Sequence, residues 1–423
     1  MKKIYFFQMF LLVLLSGFLS APSFSQYSPG KVLSFLEDTA NQKESKLRDL
    51  LIQELSQYIN TFPDTSLAGD ACCLLASVYN DKGKKADALA ALYKGLYLYP
   101  EFSRRQECIA MAQDLIAKNK DYQKKQEKLL TVLAGPALKT EREDRYITYL
   151  RFLMDLDDKD MNEWIRDELR SFITQYPADT CMYSVLQWNA DLFRQAEKWH
   201  EASNGYQKLQ SLYPDNPNLP YAIYHQAKVM YEKLDQNKEA VQACRVLYLN
   251  YPQHEYAPPA LFMSAEIKTK KLKDHAGAAE NFRQFLDTYP DNEMAAEALM
   301  AIGDLNRDKL DNPTKAIATY DEFVAKFRTD LRGAEALEKA ANIYKDKLKD
   351  YSLAAEYYAK IADLYRTHQK APDMLIKAGE LCEDKMKDYV KAIYYYQMVL
   401  DKFADSRKVG EAKKKIEKAR TKI

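Results

Sequence analysis

The chain has little of what builds loops and catalytic centres. Only 12 Gly and 15 Pro occur in 423 residues, which argues against a loop-rich or mainly β protein. The five histidines (His200, His225, His254, His275 and His368) lack metal-ligand spacing, and no H-E-x-x-H or C-x-x-C occurs. There is no phosphate-binding glycine loop, no dinucleotide fingerprint and no G-x-S-x-G elbow. A glycosidase needs two facing carboxylates in a deep pocket, and loops as short as these are poorly suited to carry them. The chain therefore reads as a non-enzyme, with no cofactor and no metal expected. Charge of one sign is missing too: 62 basic residues face 61 acidic ones. Near neutrality gives no global drive toward nucleic acid.

What is present is periodic. Of 31 Tyr and 17 Phe, a series stands 38 residues apart: Tyr213, Tyr251, Tyr289, Phe327, Tyr365 and Phe403. Phe62, Tyr99 and Tyr176 extend it upstream at spacings of 37 and 77. Pro follows as Pro63, Pro100, Pro177, Pro214, Pro252 and Pro290, and Arg328, Arg366 and Ala404 replace it later, so those turns must close by other means. A fixed period of this length is the mark of a helical solenoid, which builds an extended surface rather than a cleft.

Eleven residues before each aromatic stands Ala88, Ala202, Ala240, Ala278, Ala316, Ala354 or Ala392. Four residues later comes Leu92, Tyr206, Cys244, Phe282, Tyr320, Tyr358 or Tyr396, on the same helical face. A second small column, Ala227, Ala265, Gly303, Ala341 and Gly379, falls on a preceding helix. Between the two runs Leu234, Leu272, Leu310, Leu348 and Met386, followed by Asp274, Asn312, Asp350 and Asp388, residues suited to start a helix. Each unit is thus helix, turn, helix, aromatic-Pro. The charge-dense turns, such as 345–350 and 384–388, read as solvated with local ion pairs.

These columns resemble the tetratricopeptide repeat, with Gly303, Ala316, Tyr320 and the Phe327 terminus matching its small, Ala, aromatic and closing positions. The period is longer than the usual ~34 residues: one extra residue lies between the small columns and three at the aromatic-Pro junction. Lengthened repeats of this kind look like those of bacterial envelope proteins, including the tol-pal system periplasmic protein and the outer-membrane assembly lipoprotein, although no lipobox Cys is present. The resemblance implies an all-α, right-handed α-solenoid (superhelix) of tetratricopeptide-like hairpins and a non-catalytic scaffold in envelope assembly or maintenance. Its partners would be protein or peptide segments. The alternatives are a glycan- or peptidoglycan-binding solenoid and a helical-toroid glycosidase.

In such repeats the first helices line the groove that meets partners. Mapped from the small column, that face would carry Tyr221, Tyr224, Lys228, Tyr231, Phe262, Glu266, Met300, Asp304 and Arg307. Aromatic anchors bury much area at modest entropy cost; the competing reading is that they pack between helices.

Residues 1–25 have the layout of a secretory leader: Lys2 and Lys3, an apolar run from Ile4 to Leu19, then Ser23-Phe24-Ser25, with cleavage expected after Ser25. The run is shorter than the ~20 residues of a spanning helix, so no spanning segment is expected after cleavage and the location expected is periplasmic. The remaining organisation expected is an N-terminal helix with the first repeats over 26–100, degenerate repeats over 101–175 around Gly135-Pro136, a regular array over 176–405 and a closing helix over 406–423. That last segment holds Arg407, Lys408, Lys413, Lys414, Lys415, Lys418, Arg420 and Lys422, a solvated face or a site for an anionic partner. Six cysteines in an exported chain do not form a disulfide framework. The spacing of Cys72 and Cys73 from Cys108 is close to one repeat and leaves a bridge from either one open.

Overall fold

The computed structural model describes residues 27–423 apart from 43, 136 and 137. The leader expected at 1–25 and Pro136 lie outside the described residues. Among the described residues the ordered elements are all helical, and no helix is long and apolar enough to cross a membrane. The helices are α1 (Pro29–Asn41), α2 (Arg48–Thr61), α3 (Ser66–Asp81), α4 (Lys85–Leu98), α5 (Arg105–Lys118), α6 (Lys120–Lys124), α7 (Gln126–Ala134), α8 (Arg142–Leu156), α9 (Asn162–Gln175), α10 (Met182–Gln195) and α11 (Trp199–Leu212). They continue with α12 (Leu219–Glu232), α13 (Asn237–Asn250), α14 (Ala257–Ile267), α15 (His275–Thr288), α16 (Ala295–Asp308), α17 (Pro313–Lys326), α18 (Arg332–Ile343), α19 (Tyr351–Leu364), α20 (Ala371–Leu381), α21 (Tyr389–Lys402) and α22 (Val409–Arg420). Contacts divide the chain into two units, residues 1–205 and 206–423.

In the second unit each helix packs on the next, and the stack runs through five hairpins from α12 to α21, with α22 on the last. The alanine column explains the close approach. Ala240, Ala278, Ala316, Ala354 and Ala392 are fully buried, and so are Ala88 and Ala202 in the first unit. At Tyr320 and Tyr396 the ring one turn later lies on the small residue of the preceding helix. A methyl group added at Gly303 would stand 2.5 Å from the Tyr320 ring, and one at Gly379 2.3 Å from Tyr396. The Leu234 column, in contrast, is only half-buried, and Leu348 is exposed.

The extra residue between the small columns is absorbed at the end of the first helix, which widens into a looser turn. At Lys268–Leu272, Tyr344–Leu348 and Cys382–Met386 the helix is π-helical. In all five hairpins the amide that follows reaches six residues back: Gln236 to Met230, Asp274 to Lys268, Asn312 to Asn306, Asp350 to Tyr344 and Asp388 to Cys382, at 2.8–3.0 Å. The residue just before each is left-handed (Asp235, Lys273, Asp311, Lys349 and Lys387, φ 46–58°). Asp274, Asn312, Asp350 and Asp388 then cap the second helix, accepting from the third amide onward. Gln236 makes no such side-chain bond. Neighbouring turns are joined by ion pairs one repeat apart, Lys271 with Asp235 (3.2 Å) and Lys347 with Asp311 (2.6 Å).

The junction between hairpins closes without proline. Two successive amide bonds recur at each aromatic marker: Asn292 to Tyr289 and Ala295 to Asn292, Asp330 to Phe327 and Gly333 to Asp330, His368 to Tyr365 and Ala371 to His368. The residue three after the marker is polar, and its side chain accepts the amide two residues on: Asn216, His254, Asn292, Asp330, His368 and Ser406. His254 and His368 are therefore turn residues that accept through Nδ1.

The first unit departs from the period for a physical reason. Helix α4 packs both on α5 and on α8, so α5 to α7 lie between two partners of one helix. The Arg142 guanidinium bonds Tyr176 Oη (3.0 Å), Tyr99 Oη (3.4 Å) and the Pro63 carbonyl (3.1 Å). One arginine thus joins three of the junctions that mark the period. Beneath it, buried Glu168 accepts from Lys94 Nζ and Tyr146 Oη, each at 2.7 Å. Both members of this buried pair are answered, as burial of charge demands. All six cysteines are free thiols. Cys108 Sγ donates to the Leu92 carbonyl at 3.6 Å.

The basic end of the chain is half committed. In α22 and just before it, Lys408 pairs with Asp373 (2.8 Å), Lys415 with Glu380 (2.8 Å), and Lys418 and Lys422 with buried Glu383 (both 3.4 Å). Arg407, Lys413, Lys414 and Arg420 are exposed. Ala412, Ile416 and Ala419 form the buried stripe of this helix.

Candidate functional site

The site follows from one column of the second unit. Nineteen residues after each ring of the second helix, a side chain from the next first helix covers that ring. His225 stacks on Tyr206 with centroids 6.1 Å apart. Lys339 lies over Tyr320 (6.0 Å), Lys377 over Tyr358 (5.6 Å) and Lys415 over Tyr396 (5.8 Å). Such cations gain from the negative face of the ring. Met263 holds the same place relative to Cys244 and is buried. At Phe282 the covering residue is Ala301.

The seam between α14 and α16 therefore stays open. A cleft of about 310 Å³ lies there, floored by Phe262, Phe282, Ala301 and Leu305. Phe262 meets Phe282 edge-on at 5.1 Å. Charge rims the cleft: Glu266, Glu297, Asp304 and Asp308 against Lys270 and Lys309. Lys270 pairs with Glu266 along its own helix. That hydrogen bond, opposed by burial and reinforced by Glu297, holds the Lys270 ammonium above its ordinary pKa.

The neighbouring seam is closed by contrast. Lys339 Nζ contacts Asp304 Oδ2 and Glu335 Oε1, each at 2.9 Å. Tyr320 Oη donates to Asp304 Oδ1 at 2.6 Å. Burial, and then Asp304, push the Tyr320 hydroxyl far up from its ordinary pKa.

The nine residues expected on the partner face divide into three groups. Phe262, Glu266 and Asp304 line the cleft. Tyr221 and Tyr224 belong to a ring cluster: Tyr224 stacks on Tyr256 at 4.9 Å, and Tyr221 lies 4.2 Å from His225. Burial raises the Tyr224 hydroxyl above its ordinary pKa. Nearby Lys228 is exposed, 3.9 Å from Glu232, and Tyr231 is half-buried. Met300 is part of the core, at the place Phe262 takes one hairpin earlier. Arg307 chelates Asp308 through two bonds of 2.7 Å and also reaches Asp304 at 3.4 Å. The sequence reading missed Phe282, Glu297 and above all Ala301. The signal was there: a column of His, Met, Ala, Lys, Lys, Lys at steps of 38.

A larger hollow, about 630 Å³, lies in the first unit beside Lys124, Lys128 and Asp155. Its charges are answered locally, since Lys128 reaches the Asp155 carbonyl at 2.9 Å and Lys125 bonds the Leu156 carbonyl.

Models of the tetratricopeptide repeat match residues 221–254, 259–292 and 373–406, and a second model of that description matches 69–102. With the stacked hairpins of the second unit, these matches show that the chain carries tetratricopeptide repeats at those residues. No curated protein sequence matches it. Among solved structures, a tetratricopeptide repeat protein from Parabacteroides merdae is 14% identical, with 66% of this chain and 98% of that one covered at a TM-score of 0.36. The C-terminal part of a TPR repeat-containing protein from Cytophaga hutchinsonii is also 14% identical, with 63% and 98% covered at 0.38. PilF of Pseudomonas aeruginosa is 18% identical, with 55% and 95% covered at 0.33. Similarity at this level says nothing of function.

Proposed function

We propose that this chain is a non-catalytic scaffold for protein–protein interaction, exported to the periplasm, where it holds partner segments during assembly or maintenance of the cell envelope. The observation that carries the reading is the open seam: an apolar floor with a charged rim, on the first-helix face that meets partners in tetratricopeptide repeats. Export is supported by the leader-like segment over 1–25, with Lys2 and Lys3 before its apolar run. The envelope role rests on export together with the lengthened repeat. The glycan-binding alternative has less support, because Tyr221, Tyr224 and Tyr256 pack on one another.

The test is site-specific photo-crosslinking in cells with the full chain. A cross-linking residue at exposed Glu297, on the rim, is compared with one at exposed Glu280, on second helix α15. Discrete adducts with a defined protein from position 297 alone are expected. Equal adducts from both positions, or adducts from neither, would overturn the scaffold reading.

A further inference from the structure

The open seam keeps every part of a lysine site except the lysine. In the closed seam, Lys339 is held by Tyr320 below it, Asp304 on the preceding first helix, and Glu335 one turn back on its own helix. Thirty-eight residues earlier these positions are Phe282, Glu266 and Glu297, and all three line the cleft. Lys415 repeats the arrangement over Tyr396, 2.8 Å from Glu380, with Glu411 one turn back and adding to the field that raises its pKa against burial. A ring and two carboxylates therefore recur around an ammonium in the seams of Lys339 and Lys415, and around empty space at Ala301. A lone acidic cluster would say little; here two sister seams show which group such a cage accepts.

We propose that the cleft at Ala301 receives a lysine side chain from the partner protein, in the place that Lys339 and Lys415 fill in the sister seams. The proposal rests on the scaffold reading and names the chemistry of its partner. The entering stem lies along Phe262, Leu305 and the Ala301 methyl, and the ammonium sits over the Phe282 face between Glu266 and Glu297. Phe282 brings no hydroxyl, so neither carboxylate is engaged by the floor. Lys270 is the built-in competitor: it neutralises Glu266 in the free protein and must share it when the site fills. Arg332 acts on Glu297 from the following hairpin. Of the rim carboxylates, Asp304 and Asp308 are answered by Arg307 and Lys339, and Glu266 by Lys270, which leaves Glu297 as the rim acid with no ion pair among the described residues.

The experiment uses the full chain and two labelled alanine-rich peptides that differ only at a central residue, lysine or norleucine, read by fluorescence anisotropy. Norleucine keeps most of the stem and removes the charge. The lysine peptide is expected to bind about tenfold more tightly, as one charge-assisted contact to a partly desolvated acid provides. Ala301→Lys supplies the missing group from within, and should abolish the preference while folding normally, since three sister hairpins carry lysine there. Glu297→Gln should reduce the preference without filling the cleft, which keeps the test decisive if Ala301→Lys fails to fold. Equal binding of the two peptides, no binding at millimolar concentration, or a preference that survives in both variants would overturn the proposal. If rim cross-links at position 297 persist in that case, the scaffold reading stands and only the lysine chemistry fails.

Discussion

The seam at Ala301 and the seam at Lys339 have one architecture and opposite outcomes. In both, a ring of a second helix and the small residue of a first helix share the buried core, Phe282 with Ala265 and Tyr320 with Gly303, the latter pair in close approach. Both have acids at the same two positions. In one, a lysine bridges the acids and covers the ring, and the seam is sealed. In the other, alanine leaves about 310 Å³ uncovered. The difference teaches that the recurring ring and small residue make the stack, while a single covering residue decides whether a seam is wall or site. His, Met, Ala and Lys all occupy that position along the stack, so the covering residue can vary while the hairpins recur.

The comparison breaks most directly at Lys339→Ala. The substitution should open a second cleft over Tyr320 and leave Asp304 and Glu335 facing without their cation. We expect a loss of about 1 kcal/mol, discounted because both acids are partly in water. Urea unfolding measures it, with Lys413→Ala on the exposed face of α22 as the control expected near zero. A loss no larger than the control would show that lysine does not seal the seam.

A smaller effect sharpens a contrast between two kinds of hairpin turn. The α3–α4 hairpin of the first unit turns through Gly83 at φ 75°, whereas the hairpins of the second unit turn through Lys or Asp. A side chain with φ near 56°, as at Lys349, costs free energy that glycine avoids. Lys349→Gly should therefore stabilise the protein by about 0.5 kcal/mol, the strain relieved being offset in part by glycine's freedom in the unfolded chain. A raised urea midpoint with an unchanged slope is the expected reading, and a lowered midpoint would mean that the wide turn carries no strain.

Much of the stack was legible because its causes are local and repeat. The alanine column, the rings four residues on and the capping Asp and Asn can be read from spacing alone, and all are where spacing puts them. The junction was half legible. Proline marks it but does not make it, and the polar side chain three residues after each aromatic, which includes His254 and His368, carries the closure. The cleft was legible only in part, since Phe262, Glu266 and Asp304 lie on a face that can be mapped, whereas Ala301 matters for what it lacks relative to its sisters. Met300 and Arg307 show the limit of mapping by face: one is core, and the other is spent on Asp308 and Asp304. The 101–175 stretch was not legible because Arg142 and the Lys94–Glu168 pair join residues too far apart in sequence for any period to show.

The last seam of the stack, closed by α22, has something to lose on acidification. Glu383 is buried against α22, and Tyr396 Oη donates to it at 3.2 Å. Burial alone would raise its pKa, but Lys422, Lys418 and Tyr396 outweigh it and hold the carboxyl below its ordinary value of 4.5. A carboxylate whose pKa is depressed by folding adds stability that is fully present above the unfolded value and is lost as pH falls through the folded one. Acidification from neutral pH to about 3 should therefore loosen α22 from α20 and α21 before the rest of the second unit responds. Hydrogen exchange, corrected for its intrinsic pH dependence, should show protection in Val409–Arg420 falling first. Glu383→Gln should remove most of that difference at neutral pH already. Uniform loss of protection across α12 to α22 would instead mean that the charged seams add nothing beyond the shared packing of rings on small residues.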